Sequence, residues 1–592
     1  MAATPANIPH LNAWENPPDV PDFRAGDPIG THHDWNLGPT GARGWMWGWS
    51  LSTDLARQIY VTQVAAGSPA AQSGGLLKAG DVILGINGGN FTSDARIALG
   101  KAISEAEKTA NNGVLQLTRW RAGTTSTVTI NLPVKGDYSA LSPVSCNKSA
   151  ALMQAAGQYL VNKGLSNNIQ GYVNALGLLA TGDAQYNTLL RNYARSLVPY
   201  TAPGAWNWEP AYMNLFLCEY YLATGDAEVL PEINQLCLFL ANGQNQVGSW
   251  GHGPAMPNKI LGGYGALNSV GLVCAISLEL GRRSGVTDPA VTLAISKAAT
   301  FFRRFVGCGT IPYGDHIPPQ FHDDNGKSSM AAVFYDLIGD TEACAHFSRM
   351  TVASYGMREM GHTGNYWSFL WGPLGAQRSG DEACAAFLRE QYWFHDLERR
   401  WDGGFVYQGG AGQSGSEHTT PDWDTTGGRL LMYALPLKKL HITGKNASVA
   451  PVLTSAEVAA TILSGRDFSY WNAQGKLSRE AYDDLSTAEL LTRLDTWSIE
   501  QRQRAAMALS RLTSPPISNY RTMIASTNRN TILGGLYGLY HMGPAALPAL
   551  QDVGPLLGHG DVWIQFWAER VMCAIGAPAR ELALPVMLDV AS

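Results

Sequence analysis

The chain has 592 residues, which is too long for one hydrophobic core because domains cluster at roughly 100–200 residues. An apolar share of 45% excludes an intrinsically disordered chain, and a formal net charge of -6 excludes the broad basic surface that nucleic-acid binding needs. An uncharged polymer stays compatible with this charge, and the 18 Trp residues suit a ligand-binding surface as well as a core.

Residues 1–35 are rich in Pro, Asn and Asp and show no periodicity, so we expect an irregular arm that wraps a neighbouring domain. The first residues contain neither a basic n-region nor an apolar h-region, so we expect no signal peptide in this sequence. No apolar stretch reaches the ~18 residues that a membrane-spanning helix needs.

The pattern of residues 36–135 predicts a small β-rich domain. Ile59 and Val61 alternate with polar residues as in a strand, and a helix with apolar spacing follows Asp94. Residues 76–88 resemble the most recognisable stretch of PDZ domains. That resemblance implies a module in which a peptide adds as a strand beside the second strand.

In PDZ domains a Gly-rich loop before the second strand binds the peptide carboxylate. Residues 41–46, Gly-Ala-Arg-Gly-Trp-Met, occupy that place here, and they depart from the usual Gly-Leu-Gly-Phe pattern. The alternative is therefore an internal docking module that orients the rest of the chain. The candidate peptide-binding residues are Arg43, Gly44, Trp45 and Met46.

Residues 136–445 show about twelve helical segments joined by Gly-rich loops. Helix hairpins of this kind bury one face only when neighbouring pairs stack, and six hairpins that close on themselves make an (α/α)6 toroid. The expected helix starts lie near residues 148, 167, 183, 208, 226, 264, 288, 326, 340, 363, 380 and 424.

One segment of this region resembles a known toroid motif. Residues 244–250, Gln-Asn-Gln-Val-Gly-Ser-Trp, have the form of the QW motif of squalene-hopene cyclases and related toroids. In that superfamily the motif ties the ends of outer helices together, so the resemblance implies a structural role.

Residues 446–592 have shorter loops and resemble HEAT-type repeats, whose usual role is scaffolding or partner binding. Asp561 is the expected cap of a helix that carries Trp563 and Trp567 on one stripe. A helical pattern still runs through residues 581–590, so we expect the natural protein to continue beyond Ser592.

Eight cysteines are scattered without a CxxC pair or zinc-ligand spacing, and no HExxH motif is present. Most of them fall inside apolar helical patterns, so we expect buried free thiols and neither a metal nor a cofactor. They are Cys146, Cys218, Cys237, Cys274, Cys308, Cys344, Cys384 and Cys573.

The loops at one end of an α/α toroid form the rim of a central funnel, so polar and aromatic residues clustered there are candidates for function. The candidate catalytic residues are His322, Asp323, Asp324, His362, Tyr366, Arg400, Asp402 and Asp424. The candidate substrate-binding residues are Trp206, Trp208, Glu209, Tyr264, Asn268, His316, Asn365 and Trp367.

Two chemistries fit these residue types. Paired carboxylates among the four Asp candidates suit general acid and base catalysis on a glycosidic bond. A lyase would instead use His or Tyr to remove a proton beside a uronate carboxylate, which Arg400 would neutralise. The structural alternatives are a helix-capping role for Asp324, packed polar groups at His362 and Tyr366, and ordinary ion pairs at Arg399 and Arg400.

A third chemistry follows from a short resemblance. Residues 422–426, Asp-Trp-Asp-Thr-Thr, resemble the Asp-x-Asp-Asp-Thr motif with which class II terpene cyclases protonate an alkene. Asp424 matches the central acid, whereas Thr425 stands where the next Asp belongs. An isoprenoid cyclase-like enzyme is therefore one alternative.

Three longer phrases resemble DUF6288, a bacterial family that joins a PDZ domain to a helical toroid. They are residues 33–45, 263–268 and 322–327, and the resemblance spans most of residues 25–440. The family has no established activity. Its members generally look secreted, which implies an exported origin for this chain.

We therefore expect a mainly α protein with a β-rich PDZ-like domain, an (α/α)6 toroid and HEAT-like helices. Its expected function is cleavage of a polysaccharide by a secreted or periplasmic hydrolase or lyase, with no nucleic-acid partner and no membrane span. The alternative from another class is a non-catalytic scaffold that holds proteins or a cell-surface polymer.

Overall fold

The computed structural model describes residues 19–29, 34–48, 53–72, 77–200, 206–318, 322–323, 325–357, 366–408, 423–466 and 482–591. Within these ranges a β-rich module comes first, a ring of helices follows, and further helices complete the chain. The predicted mainly α fold with a small β-rich N-terminal domain is confirmed. No described helix combines the length and the hydropathy that crossing a membrane requires.

The N-terminal module is an antiparallel sheet with two helices, α1 (Pro69–Gln72) and α2 (Ala95–Ala106). The sheet order is β1-β2-β3-β4-β6-β7, and β5 pairs with β4. The strands are β1 (Trp35–Asn36), β2 (Ala42–Trp45), β3 (Ile59–Val64), β4 (Val82–Ile86), β5 (Gly89–Asn90), β6 (Val114–Arg121) and β7 (Thr124–Asn131). Asp94 caps α2 by accepting hydrogen bonds from two backbone N–H groups of its first turn, as its position in the sequence predicts.

The described part of the N-terminal arm, residues 19–29, packs on this sheet through Phe23. Phe23 packs edge-on against Trp45 and Tyr60, with ring centroids 5.4 and 5.9 Å apart. These rings form a small hydrophobic cluster with Val82 and Leu84, separate from the main core. The described part of the arm is therefore held by apolar packing on the module that follows it.

Twelve of the ring's described helices begin within about one turn of the predicted starts, and one more, which begins at Tyr392, was not predicted. The inner helices are α4 (Ile169–Thr181), α6 (Trp208–Thr224), α8 (Asn268–Arg283), α10 (Lys327–Ile338), α12 (Tyr366–Ala376) and α15 (Thr426–Tyr433). The outer helices are α3 (Asn147–Lys163), α5 (Asn187–Ser196), α7 (Leu230–Asn242), α9 (Pro289–Arg303), α11 (Thr341–Ala353), α13 (Asp381–Arg389) and α14 (Tyr392–Glu398).

The inner helices form a closed ring among the described residues. Each packs against the next, and α15 returns to pack against α4. Helix α8 illustrates the inner position, because its residues 268–281 are buried on every side. The first turns of neighbouring inner helices lie together, with Gln170 of α4 bonded to Asp424 before α15 and Gly326 before α10 against Trp367 of α12. The inner helices therefore begin at one end of the ring, which we call the mouth.

The segment at 244–250 ties two outer helices together, as its resemblance to the QW motif implied. Gln244 donates a hydrogen bond of 2.8 Å to the carbonyl of Ala294 in α9. The fully buried Trp250 donates one of 2.7 Å to the carbonyl of Leu240 in α7. Gly248 has a φ of +109°, and a Cβ there would lie 2.4 Å from the Lys297 carbonyl oxygen, so only glycine fits.

The chain continues past the predicted boundary at residue 446 with one more helix that packs on the ring. Helix α16 (Ser455–Arg466) packs on α11 and α13, and its Val458 and Ile462 belong to the core of the ring. A second core begins at Tyr482. Its helices are α17 (Thr487–Leu494), α18 (Ile499–Ser510), α19 (Ile517–Ile524), α20 (Arg529–Met542), α21 (Leu550–Val553), α22 (Val562–Ile575) and α23 (Arg580–Ala591).

Four buried charges join the β-rich module to the ring. Lys148 in α3 lies 3.0 Å from Glu107 and 3.3 Å from Asp396, and Arg399 lies 2.7 and 3.0 Å from the same two carboxylates. The Tyr138 hydroxyl donates a further hydrogen bond of 2.8 Å to Asp396. Burial alone would raise the pKa of Asp396, but Arg399 and Lys148 hold it below its ordinary value.

Removing one member of this cluster leaves an uncompensated buried charge. We predict that Lys148→Met lowers the free energy of unfolding by about 3–5 kcal/mol, measured by urea denaturation with tryptophan fluorescence. Lys108→Met is the matched control, because Lys108 pairs with Glu105 and Asp137 near the surface and such pairs contribute at most about 1 kcal/mol. Equal stability of the two variants would contradict a structural role for the buried cluster.

Glu219 in α6 is fully buried away from the mouth. Its carboxylate accepts hydrogen bonds from the backbone N–H groups of His441 (3.1 Å) and Ile442 (2.8 Å). Burial raises the pKa of Glu219 to about 7, and the two backbone hydrogen bonds oppose that shift only in part.

A carboxyl group with a raised pKa makes stability depend on pH. Because the folded pKa is about 7 and the ordinary value is 4.5, the contribution of Glu219 is fully present below pH 4.5 and is lost as the pH rises through 7. In the unchanged protein we expect the free energy of unfolding to fall by about 3 kcal/mol between pH 4.5 and 8 as Glu219 ionises. We predict that Glu219→Gln lacks this fall. The exposed Glu228→Gln serves as the control, and an unchanged pH profile in Glu219→Gln would refute the assignment.

Candidate functional site

A row of aromatic side chains lies at the mouth of the ring. Trp208, in the first turn of α6, stacks on Trp367 of α12 with ring centroids 4.8 Å apart. Its indole Nε1 donates a hydrogen bond of 3.0 Å to Nδ1 of His252, which belongs to the loop between α7 and α8. Trp206 and Tyr264 lie beside His252, with ring centroids 4.5 and 6.1 Å from it.

The row runs from solvent towards the interior of the ring. Tyr264 is 80% exposed and Trp206 is 55% exposed, whereas Trp367 is only 5% exposed. Further in, Trp367 stacks on the fully buried Tyr212 at 5.0 Å. Aromatic pairs of this kind hold one another rigidly, so the row presents fixed flat surfaces to any ligand at the mouth.

A cavity of about 240 Å³ opens at the inner end of this row. Its described lining comes from α4, α6, α12 and the residue before Asp424: Asn168, Ile169, Gln170, Glu209, Tyr366, Trp367 and Trp423. Glu209 is the one carboxylate among these seven lining residues, and its Oε1 accepts a hydrogen bond of 3.3 Å from the Tyr172 hydroxyl. The cavity therefore combines apolar walls with a single acid, as small-molecule sites commonly do.

Asp424 lies directly behind this cavity. Its side chain is 4% exposed and accepts hydrogen bonds from Lys163 (2.7 Å), Asn174 (3.1 Å) and the backbone of Thr426 (2.9 Å). Its backbone N–H donates to Oε1 of Gln170, a cavity residue, at 3.2 Å. Helix α4 thus stands between the two carboxylates, with Glu209 on the neighbouring α6 and Asp424 beside α15.

Tyr366 lines the cavity but is a poor base. Burial, with a contribution from Asp424, raises the pKa of Tyr366 well above its ordinary value. Its ring packs edge-on against Trp423 at 5.1 Å and Tyr407 at 5.5 Å. A phenol held in this way stays protonated at neutral pH and can donate a hydrogen bond to a ligand.

Two predicted catalytic residues have structural contacts instead. Nε2 of His322 lies 2.8 Å from the Ser498 hydroxyl and its Nδ1 lies 3.0 Å from Glu500, so this fully buried ring connects the helical ring to α18. Asp323 accepts hydrogen bonds from the Ser328 backbone and the Ser329 hydroxyl, at 2.9 and 3.0 Å. It therefore caps the first turn of α10.

Asn268 has structural contacts as well, whereas the predicted role of His316 stays a prediction. Asn268 is fully buried, and its amide bonds to the Ser249 hydroxyl and to the carbonyls of Pro312 and Gly314, so it positions loops rather than a ligand. His316 is exposed on the same loop, beside Asp315, whose carboxylate accepts the backbone N–H of Ala266. The predicted residues Asp324, His362 and Asn365 lie outside the described ranges.

Arg400 and Asp402 form an ion pair of 2.6 Å away from the mouth cavity. They line a different cavity, between the β-rich module and α3. Burial alone would raise the pKa of Asp402, but Arg400 lowers it below its ordinary value. The ion-pair interpretation of the arginines therefore holds for Arg399 and Arg400 alike.

The candidate peptide-binding residues are engaged within the chain. Arg43 and Gly44 pair with β1 on one edge and with β3 on the other. Trp45 and Met46 are buried. In addition, the Arg96 guanidinium of α2 lies 4.4 Å from the centroid of the Trp35 ring. A peptide would have to displace β1 to add beside β2, which favours the docking interpretation of this module.

Sequence reasoning missed several residues that shape the mouth. His252 lies in a Gly-rich loop without periodicity, and its contact with Trp208 spans 44 positions. Lys163 and Asn174 reach Asp424 across more than 240 positions. No local sequence pattern predicts a contact between residues so far apart in the chain. A Lys in the last turn of α3 is a usual helix-ending signal, but it does not indicate a distant partner.

Within the described part of the chain, no three His, Cys, Asp or Glu side chains gather into a cluster that could hold a metal ion. The described cysteines are free thiols, and all but Cys573 are buried, as expected from their apolar surroundings.

Comparisons with known proteins agree with this architecture. A model of the PDZ domain matches residues 40–118, and the model described as domain of unknown function (DUF6288) matches residues 149–444, which is half of the chain. Searches of curated proteins and of solved structures gave no match. With a PDZ domain ahead of the matched helical ring, this chain belongs to the DUF6288 family.

Proposed function

We propose that the helical ring binds a polysaccharide at its mouth and hydrolyses a glycosidic bond in the cavity beside Glu209. The observation that carries this proposal is the aromatic row, which leads from exposed Tyr264 to a cavity with one carboxylate. Sugar rings have flat apolar faces and a polar edge, so they suit a site with aromatic walls and few polar groups. We propose a secreted or periplasmic location, because family resemblance implies export and polysaccharides occur there.

Glycosidic bond hydrolysis needs two carboxyl groups, one to protonate the leaving oxygen and one to activate water or attack the sugar. Glu209 lines the cavity and accepts a hydrogen bond from Tyr172, so it is the candidate for the group that exchanges a proton with substrate. Asp424 is held by Lys163 and Asn174 behind α4 and does not line the cavity, so we assign the second carboxyl group to none of the described residues.

The geometry favours a hydrolase over the other two chemistries. A lyase that used Tyr366 as its base would need a readily ionised phenol, whereas the pKa of Tyr366 is raised. An isoprenoid cyclase would need Asp424 as a proton donor, whereas Asp424 forms an ion pair with Lys163 at 2.7 Å.

We predict that the protein releases reducing ends from at least one neutral glycan, and that Glu209→Gln lowers kcat by at least about 100-fold because it removes the proton-transferring group. A panel of neutral and uronate glycans, read by reducing ends and by unsaturated-product absorbance, provides the assay. Glu228→Gln, an exposed change of the same kind after α6, is the matched control.

Two outcomes would overturn the proposal. Full activity in a folded Glu209→Gln variant would remove Glu209 from the chemistry, and unsaturated products would indicate a lyase. Absence of both cleavage and glycan binding across the panel would leave the scaffold alternative, in which the PDZ module and the C-terminal helices hold other molecules.

We further predict that Trp206→Ala raises KM about fivefold with little change in kcat, because loss of one stacking surface removes about 1 kcal/mol of binding. Trp206→Phe keeps an aromatic face and is expected to retain most of the affinity. Steady-state kinetics on the glycan found above measures both. An unchanged KM in Trp206→Ala would show that the outer part of the aromatic row does not contact substrate.

A further inference from the structure

A second cavity lies outside the mouth, where three parts of the chain meet. It has a volume of about 310 Å³ and is lined by the β-rich module, by α3 and by the turn at residues 399–405. It shares no lining residue with the mouth cavity. A ligand there would contact the PDZ module and the ring at the same time.

Two aromatic side chains form walls of this junction cavity. Trp401 is 41% exposed, and its ring lies against Gly41 of the PDZ loop, where a Cβ would come within 3.0 Å of it. Tyr159 of α3 is half-buried, with the Arg400 guanidinium 5.8 Å from its ring centroid. An exposed indole beside a second aromatic ring suits a ligand with a flat apolar face.

The charges of the cavity leave one cation without a protein partner. Glu107 and Arg399 pair with each other, and Arg400 pairs with Asp402, so these four side chains balance. The fifth charged lining residue is Lys135, and no ion pair or hydrogen bond engages its ammonium group among the described residues. The cavity therefore has room for one negative charge.

Polar groups around the cavity can bind hydroxyls. Oε1 of the fully buried Glu107 has no hydrogen-bond partner among the described residues, so it can accept a hydrogen bond from a ligand. The exposed amides of Gln158 and Asn162 lie on the same wall and can both donate and accept.

We propose that the junction cavity binds an acidic sugar, with its carboxylate on Lys135 and one face of its ring on Trp401. Among the described lining residues Lys135 is the one cation without a partner, and one positive charge matches a carboxylate, which carries one negative charge, better than a phosphate, which carries nearly two. A volume of about 310 Å³ is near the lower limit for ligand sites and suits one or two sugar rings. This second site does not depend on catalysis at the mouth.

Calorimetric titration of the full chain with glucuronate and galacturonate tests this proposal, with glucose and glucose 6-phosphate as comparison ligands. The sugar acids are expected to bind, and Lys135→Ala is expected to weaken them at least about tenfold because the charge-assisted contact is lost. Lys101→Ala, an exposed change on α2, and Trp206→Ala at the mouth are expected to leave this binding unchanged. Lys135→Arg is expected to retain it.

The proposal is overturned if neither sugar acid binds, if glucose binds as tightly as glucuronate, or if glucose 6-phosphate binds more tightly. It is also overturned if Trp206→Ala abolishes the binding while Lys135→Ala retains it, since the ligand would then lie at the mouth. Titration with a short polygalacturonate in place of the monosaccharide shows whether the cavity binds the end of an acidic polymer or only a free sugar. Failure of the glycan-cleavage assay leaves each of these readouts intact.

Discussion

The buried charges of Glu107, Lys148, Asp396 and Arg399 are the contact on which the arrangement of the chain depends. Each charge would be costly alone in the interior, and each is offset by two opposite charges within about 3.3 Å. The four come from the PDZ module, the first helix of the ring and the end of α14, which lie far apart in sequence. The module can therefore satisfy Glu107 only when it is docked on the closed ring.

This docking explains why the PDZ module differs from a free peptide receptor. Strand β1 fills the edge of β2, α14 packs on α2, and apolar residues of the module and the ring form one continuous core. The same docking creates the junction cavity, because the module forms one wall and α3 the opposite one. Helix α3 then relates the two sites, since its Tyr159 faces the junction and its Lys163 reaches Asp424 behind the mouth.

Closure of the ring brings the residues of the mouth together. The first residues of α4, α6 and α12 meet only because the inner helices run parallel and begin at one end. Trp208 and Trp367, which are 159 positions apart, then stack face to face over the cavity that contains Glu209. His322 and Asp323 precede α10 at the same end of the ring, but His322 bonds to Ser498 at the start of α18 and Asp323 bonds to the first turn of α10. Proximity to the mouth is therefore not sufficient for a role there.

The sequence by itself determined the local elements. Apolar periodicity located twelve helices of the ring to within about a turn and missed α14. Asp94 marked the start of α2 and residues 244–250 indicated a tie between outer helices, because capping and periodicity depend on neighbouring residues. Only the tertiary structure decided which candidates share a cavity. Asp424 lies behind the mouth, Arg400 and Asp402 line the junction cavity, and β1 fills the edge of β2 where a peptide would add. Local patterns cannot predict these placements, because the contacts join helices and strands that approach each other only when the ring closes.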